Sequence, residues 1–264
     1  MLQRTAAFQR GRQMSGHNRW TKIKRKKEAM GASKGALFTK LIREVTVATR
    51  TGGGDPDHNA RLRSAILAAR EANMPADNIT RAIKKGTGEL EGVNYDELTY
   101  EGYGPGGVAF VLEILTDNKN RTAGDVRAIF TKGGGSMAAS GAVAFQFERK
   151  GVVPVKKGPS EDQVMELALD AGAEDVVGDG EGGFEVRTEP GSVIQVHKAL
   201  EARLPVGAPR IVHLPRSTVQ VQGDTAEKVL RLVENLEDND DVQQVYANFE
   251  ISDEEMAAIE SRAE

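Results

Sequence analysis

Charge is divided so unevenly along this chain that a single mixed domain is a poor solution for it. Residues 1–88 carry nineteen Lys and Arg against six Asp and Glu, a net of +13, whereas residues 89–264 carry sixteen against thirty-three, a net of −17. The overall −4 hides this polarity. Charge asymmetry between two parts of one chain points to a polyanionic partner for the basic part, which we read as nucleic acid. A length of 264 residues suits two domains, or three small ones.

The basic part is also the part most clearly patterned as helix. From Arg19 to Met30 the apolar residues Trp20, Ile23 and Met30 share one narrow stripe, and Lys22, Lys24, Arg25, Lys26 and Lys27 occupy most of the rest. So little apolar surface leaves two readings, a helix ordered on a polyanion or a solvated basic arm. Ala36 to Thr51 is stronger: Leu37, Phe38, Leu41, Ile42, Val45 and Ala48 form one apolar face, with Lys40, Arg43 and Arg50 opposite within about 80° of arc. Gly52-Gly53-Gly54 stops that helix, and Asp55-Pro56 reads as N-cap and first residue of the next. Leu62, Ala65, Ile66 and Ala69 give the third helix its buried stripe, with Arg63 and Arg70 outside. Pro75 opens a fourth, carrying Ile79, Ala82 and Ile83 inward and ending on Lys84-Lys85. Residues 14–88 are therefore expected to form a small basic helical bundle. Its candidate nucleic-acid-binding residues are Arg19, Lys22, Lys24, Arg25, Lys26, Lys27, Lys40, Arg43, Arg50, Arg63, Arg70, Lys84 and Lys85. Nothing in the spacing singles out a recognition helix.

Beyond Gly88 strands and helices alternate. Leu98–Tyr103 and Val108–Leu115 read as an antiparallel pair around Gly104-Pro105-Gly106-Gly107, followed by a helix over Thr122–Lys132 and a strand over Ala142–Arg149. Val152–Val155, a helix containing Val164, Leu167 and Ala168, the strand Gly183–Thr188, the helix Ser192–Ala202 and the strand Pro209–Leu214 come next. Val219–Gln222, the helix Ala226–Leu236 and the strand Val242–Ile251 complete the pattern. The fold class is α+β, an N-terminal helical bundle followed by two ferredoxin-like α/β domains. Residues 150–215 are read as a domain inserted between 89–149 and 216–251, with continuous tandem domains as the alternative. Residues 252–264 are read as a C-terminal tail, and residues 1–13 as a frayed tail or misplaced start, or else an Arg-rich transit peptide.

No constellation points to catalysis, a metal or a cofactor. His17, His58, His197 and His213 are scattered, cysteine is absent, and the chain holds neither a phosphate-binding G-x-x-x-x-G-K-[ST] string nor a G-x-S-x-G elbow. Gly102, Gly104 and Gly107 match G-x-G-x-x-G, but Pro105 lies inside it and a strand follows where a dinucleotide site needs a helix. No small-molecule substrate and no membrane partner are expected. A cysteine-free chain fits a cytoplasmic setting, and nothing in the sequence sets an oligomeric state.

Gly16-His17-Asn18-Arg19-Trp20, Ile23-Lys24, Phe38-Thr39-Lys40-Leu41-Ile42-Arg43-Glu44, Gly52-Gly53-Gly54-Asp55-Pro56, Asn73-Met74-Pro75, Asn78-Ile79, Ile83-Lys84-Lys85-Gly86 and Tyr100-Glu101-Gly102-Tyr103-Gly104-Pro105 together resemble the YebC family. That family includes the mitochondrial translational activator of cytochrome c oxidase subunit I. The likeness runs from Met14 to about Ile251. It implies a hook-shaped, three-domain regulator of gene expression without enzymatic chemistry. Some members of the family are described as DNA-binding transcriptional regulators, whereas others act on ribosomes and relieve stalling at consecutive prolines. Ribosomal or transfer RNA on the ribosome, or promoter DNA, are thus the two partners to weigh.

Overall fold

The computed structural model describes residues 34–263. Arg19, Lys22, Lys24, Arg25, Lys26 and Lys27 lie outside the described residues. The described chain divides into two compact units, one of Arg149–Val212 and the other of the residues before and after it.

The described part of the larger unit opens with three helices, α1 (Lys34–Gly52), α2 (Ala60–Glu71) and α3 (Ala76–Thr87). Phe38, Leu41, Ile42, Val45 and Ala48 of α1 pack against Leu62, Ala65, Ile66 and Ala69 of α2 and Ile79, Ala82 and Ile83 of α3, with Met74 between the last two helices. Leu37, expected on the same face, projects into water instead at 45% exposure. The approach of α1 to α3 depends on Gly86: a Cβ there would lie 2.5 Å from Thr49 Cβ and 2.7 Å from the Thr46 carbonyl oxygen.

The expected start of the second helix is corrected. Asp55 and Pro56 lie in a turn, where the Asp55 carboxylate accepts from Asp57 N and His58 Nδ1. Asn59 is the N-cap. Its Oδ1 accepts from Leu62 N at 3.0 Å, while its amide donates to the carbonyls of Ala48 and Gly53 at 2.7 and 2.8 Å. One buried side chain thus satisfies the end of α1 and the start of α2 together, which a carboxylate, lacking a donor, cannot do.

Strands β1 (Asp96–Tyr103) and β2 (Ala109–Thr116) form the expected antiparallel hairpin, followed by α4 (Lys119–Lys132) and the short β3 (Ser136–Ala138). After the second unit the chain returns with β8 (Val219–Gln220), α7 (Gly223–Glu237), β9 (Val242–Ala247), β10 (Phe249–Glu250) and α8 (Asp253–Ala263). The main sheet has the order β3-β1-β2-β9 and is antiparallel throughout. Phe110, Leu112 and Ile114 of β2 alternate onto one face, where Val126 and Phe130 of α4 and Val229, Leu232, Val233 and Leu236 of α7 cover them. The strand expected over Val242–Ile251 is broken at Asn248, whose side chain accepts from Ala109 N at 2.7 Å. Within the stretch read as a C-terminal tail, Asp253–Ala263 form α8, which buries Met256 and Ile259 in the same core.

The Arg149–Val212 unit contains most of β4 (Phe147–Val155) and the first half of β7 (Arg210–Pro215), with α5 (Glu161–Asp170), β5 (Asp175–Gly178), β6 (Phe184–Thr188) and α6 (Val193–Glu201) between them. Its sheet order β5-β6-β4-β7 in a βαββαβ chain is the ferredoxin-like arrangement. Val153, Val155 and Val186 pack beneath Val164 and Ala168 of α5 and Val193, Val196 and Leu200 of α6. The strand expected at Ala142–Arg149 starts only at Phe147, after a 3-10 turn over Ala144–Gln146, and runs on without a break through Val155.

Candidate nucleic-acid interface

The described residues among the candidate cations fall into two groups. Lys40 and Arg43, on the side of α1 away from its apolar stripe, face the neighbouring α/β layer. Lys40 Nζ donates to the carbonyl of Glu237, at the end of α7. Arg43 is enclosed, its side chain 14% exposed: Nη1 donates to Asp241 Oδ1 at 2.7 Å and to the carbonyls of Asp240 and Leu115, and its guanidinium carbon lies 5.4 Å from the centroid of the Tyr95 ring. On Arg43, therefore, the charge read as facing phosphates is met by carboxylate from within the chain.

The second group faces solvent. Arg50 is exposed near the end of α1, with Nη2 donating to the Val93 carbonyl at 3.1 Å. Arg63 on α2 donates to the Asp57 carbonyl at 2.7 Å, and Arg70 is exposed in the last turn of that helix. On α3, Lys84 is exposed and Lys85 half-buried. Arg81, one turn before Lys84, lines with it a shallow groove of about 250 Å³ that also includes Asp77, Thr80 and Leu90. Arg81 was not singled out from the sequence, although its i, i+3 and i, i+4 spacing to Lys84 and Lys85 places all three on neighbouring positions of one helix face.

Asp241 is the electrostatic centre of the contact between α1 and the first sheet. It is 4% exposed. Oδ2 accepts from Arg121 Nη2 at 2.7 Å, Thr122 Oγ1 at 2.6 Å and Thr116 Oγ1 at 3.2 Å, while Oδ1 holds Arg43. Burial by itself raises the pKa of this carboxyl, but the bonds from Arg121 and Thr122 and the charge of Arg43 outweigh it, so the group sits below the ordinary aspartate value. Asp241 holds the Arg121 guanidinium correspondingly more firmly protonated. A cleft of about 500 Å³ opens beside the network, lined by Arg43, Asp117, Arg121, Asp125, Asp238, Asn239, Asp240 and Asp241. Five carboxylates against two guanidiniums make this cleft unfavourable for a phosphate.

A second tie was invisible in the sequence. Arg61 of α2 donates through Nε and Nη2 to the two carboxylate oxygens of Glu44 on α1, at 2.7 and 3.1 Å, and pairs through Nη1 with Glu97 of β1 at 2.9 Å. Its partners are 17 and 36 residues away, so no local spacing announces it. Elsewhere His58 bonds Asp55 at 2.6 Å and His213 lies 3.5 Å from Glu113. Among the described residues no group of three or more His, Cys, Asp or Glu is placed to hold a metal ion, and no helix is long and apolar enough to cross a membrane.

Comparison with known proteins places this geometry among relatives. Residues 18–89 match a family model described as the TACO1/YebC protein N-terminal domain, and residues 95–249 match one described as the TACO1/YebC second and third domain. A protein of Myxococcus xanthus is 61% identical over 241 residues, covering 91% of this chain and 97% of that one. One of Geobacter sulfurreducens is 54% identical over 244 residues, covering 92% and 98%. Both are named probable transcriptional regulatory proteins. The crystal structure of a conserved hypothetical protein from Aquifex aeolicus superposes with a TM-score of 0.79 at 51% identity, over 84% of this chain and 92% of that one.

Proposed function

The chain belongs to the TACO1/YebC family, and from that premise we propose that it is a non-enzymatic, nucleic-acid-binding regulator of gene expression, acting on the ribosome through its basic N-terminal part. The observation that carries this reading is the partition of charge: a net +13 over residues 1–88 beside a net −17 over the remainder. Within the helical region Arg50, Arg70, Arg81 and Lys84 supply exposed cations on a folded scaffold, and Lys24, Arg25, Lys26 and Lys27 add a dense run ahead of it. A basic head on an acidic body suits entry into an RNA-walled cleft better than wrapping of a duplex, with the phosphate contacts concentrated on the head. The consequence we assign to it is relief of stalling at proline-rich stretches.

Neutralising about six phosphates of single-strand-like character gives a log–log salt slope near −4, so affinity falls a few hundred-fold between 50 and 200 mM salt. Reversing Lys24, Arg25, Lys26 and Lys27 to Glu is expected to abolish co-sedimentation with ribosomes. Unchanged sedimentation refutes the ribosomal reading.

The names of the curated relatives favour a second reading, regulation at promoter DNA. Base readout then requires side chains carried into a major groove. A footprint on a defined promoter that survives excess nonspecific DNA, with flat ribosome occupancy in a deletion strain, selects it over the first.

A further inference from the structure

Glu101 of β1 is 4% exposed, and its carboxylate is spent on one loop. Oε1 accepts from Gly141 N at 2.6 Å, and Oε2 from Val143 N at 2.7 Å and Ala144 N at 2.9 Å. The Tyr103 hydroxyl donates to the Ala142 carbonyl at 3.1 Å. The loop is tied at both ends as well. Gly135, at its root, lies so close to β1 that a Cβ would sit 2.4 Å from the Tyr103 carbonyl oxygen. At its far end the Gln146 side chain accepts from Asn248 Nδ2 at 3.1 Å and its carbonyl from Arg216 N at 2.8 Å. Val143 is fully buried.

Two residues after that anchor, Phe145 stands in water at 70% exposure, more than any other large apolar side chain among the described residues. A mobile loop would fold such a ring back onto the surface to recover its burial, whereas this backbone is held in place by the bonds from Glu101, Tyr103 and Arg216. Its surroundings narrow what it is for. Tyr103, 37% exposed, is the one other exposed large apolar side chain tied to this loop among the described residues, and Leu37, Leu90, Val93, Leu169 and Ile211 belong to other elements. That falls short of the contiguous apolar patch of several hundred Å² by which proteins dock on one another. Ala139, Ser140 and Gly141 of the same loop are small and exposed. A flat aromatic face held out from a fixed loop fits a flat ligand, and each unpaired base offers one.

We propose that Phe145, displayed by the loop that Glu101 clamps, is a stacking platform for an unpaired base of single-stranded nucleic acid. This deepens the nucleic-acid reading above and rests on it.

The test uses the full chain with an aminopurine-labelled single-stranded RNA and the duplex of the same sequence, comparing the parent with Phe145→Ala, Phe145→Leu and Phe145→Trp. Because the ring is exposed, all three are expected to keep the parent's circular dichroism. Stacking predicts that the parent quenches the aminopurine on the single strand, that the Ala and Leu variants bind it about ten-fold more weakly and without quenching, and that the Trp variant retains both. Duplex affinity and the salt slope stay unchanged, since phosphate contacts lie elsewhere. Parent-like single-strand affinity in the Ala variant, or in the Leu variant alone, overturns the stacking role while leaving the nucleic-acid reading in place. If the parent binds neither probe, that reading fails and the stacking role fails with it.

Discussion

Replacing Asp241 by alanine removes in one step the acceptor shared by Arg43, Arg121, Thr116 and Thr122. The four partners do not lose equally. Arg121 is 46% exposed and keeps Asp117 at 2.7 Å, so water and that neighbour absorb most of its loss. Thr122 has one hydroxyl proton and can turn it to Thr116 Oγ1 or to the Asn118 carbonyl. Arg43 is 14% exposed and is left with backbone carbonyls and the Tyr95 ring. Removing one partner of a buried ion pair costs about 3–5 kcal/mol, and the carbonyls that remain put the expected loss at the lower end, about 3 kcal/mol. In urea unfolding at pH 7 this lowers the midpoint by roughly 1 M, for a slope near 3 kcal/mol per molar. A double-mutant cycle with Arg43→Ala assigns the coupling to the pair. The pH dependence has a definite sign: the folded pKa of Asp241 lies below its ordinary 3.8, so the stabilisation is complete above the unfolded value and is lost as pH falls through the folded one. The gap between parent and variant is therefore constant from neutral pH down to about 5 and closes only below the ordinary aspartate range. A variant within about 0.5 kcal/mol of the parent at pH 7 refutes Asp241 as the tie between α1 and the sheet.

Asn59→Ala leaves both the start of α2 and the end of α1 unsatisfied, and about 2 kcal/mol of stability is expected to go, measurable by thermal or urea unfolding. Glu101→Gln weakens a carboxylate that three backbone N–H groups hold charged against the opposing effect of its burial. We expect a loss of about 2 kcal/mol, present above the ordinary glutamate range and vanishing in acid, together with faster amide exchange at Gly141, Val143 and Ala144. Arg81→Glu with Lys84→Glu leaves unfolding within about 0.5 kcal/mol of the parent, because both side chains face solvent. The same pair weakens binding to any polyanion and makes the salt slope shallower by about 1.4 on single strands, about 0.7 for each phosphate no longer neutralised.

The helical scaffold was legible because its signals are local. Phe38, Leu41, Ile42, Val45 and Ala48 repeat at helical spacing, and the helix they predict buries them. The cations opposite them were equally visible, but the direction they face was not. Arg43 finds its acceptors at Leu115, Asp240 and Asp241, between 72 and 198 residues away, and a one-dimensional pattern does not distinguish a carboxylate of the same chain from a phosphate of a partner. Residues 252–264 were read as a C-terminal tail, yet the acids Asp253, Glu254 and Glu255 suit the first turn of a helix, and Met256 with Ile259 supplies the buried stripe. The Asp55-Pro56 signal lost to Asn59 for a reason outside local propensity: only a side chain with both a donor and an acceptor serves two helix ends at once. The Glu101 clamp was illegible for the same reason as the Arg43 contact, since its first donor lies 40 residues downstream.

Because α1 is covered on its apolar side by α2 and α3 and on its basic side by an acidic rim, a fragment ending near Gly88 is a misleading reagent. Severed there, Arg43 would lose the Asp241 carboxylate and Lys40 the Glu237 carbonyl that the intact protein provides. Any polyanion offered to such a piece would find positive charge that the whole molecule withholds, and the resulting affinities would describe an artificial surface.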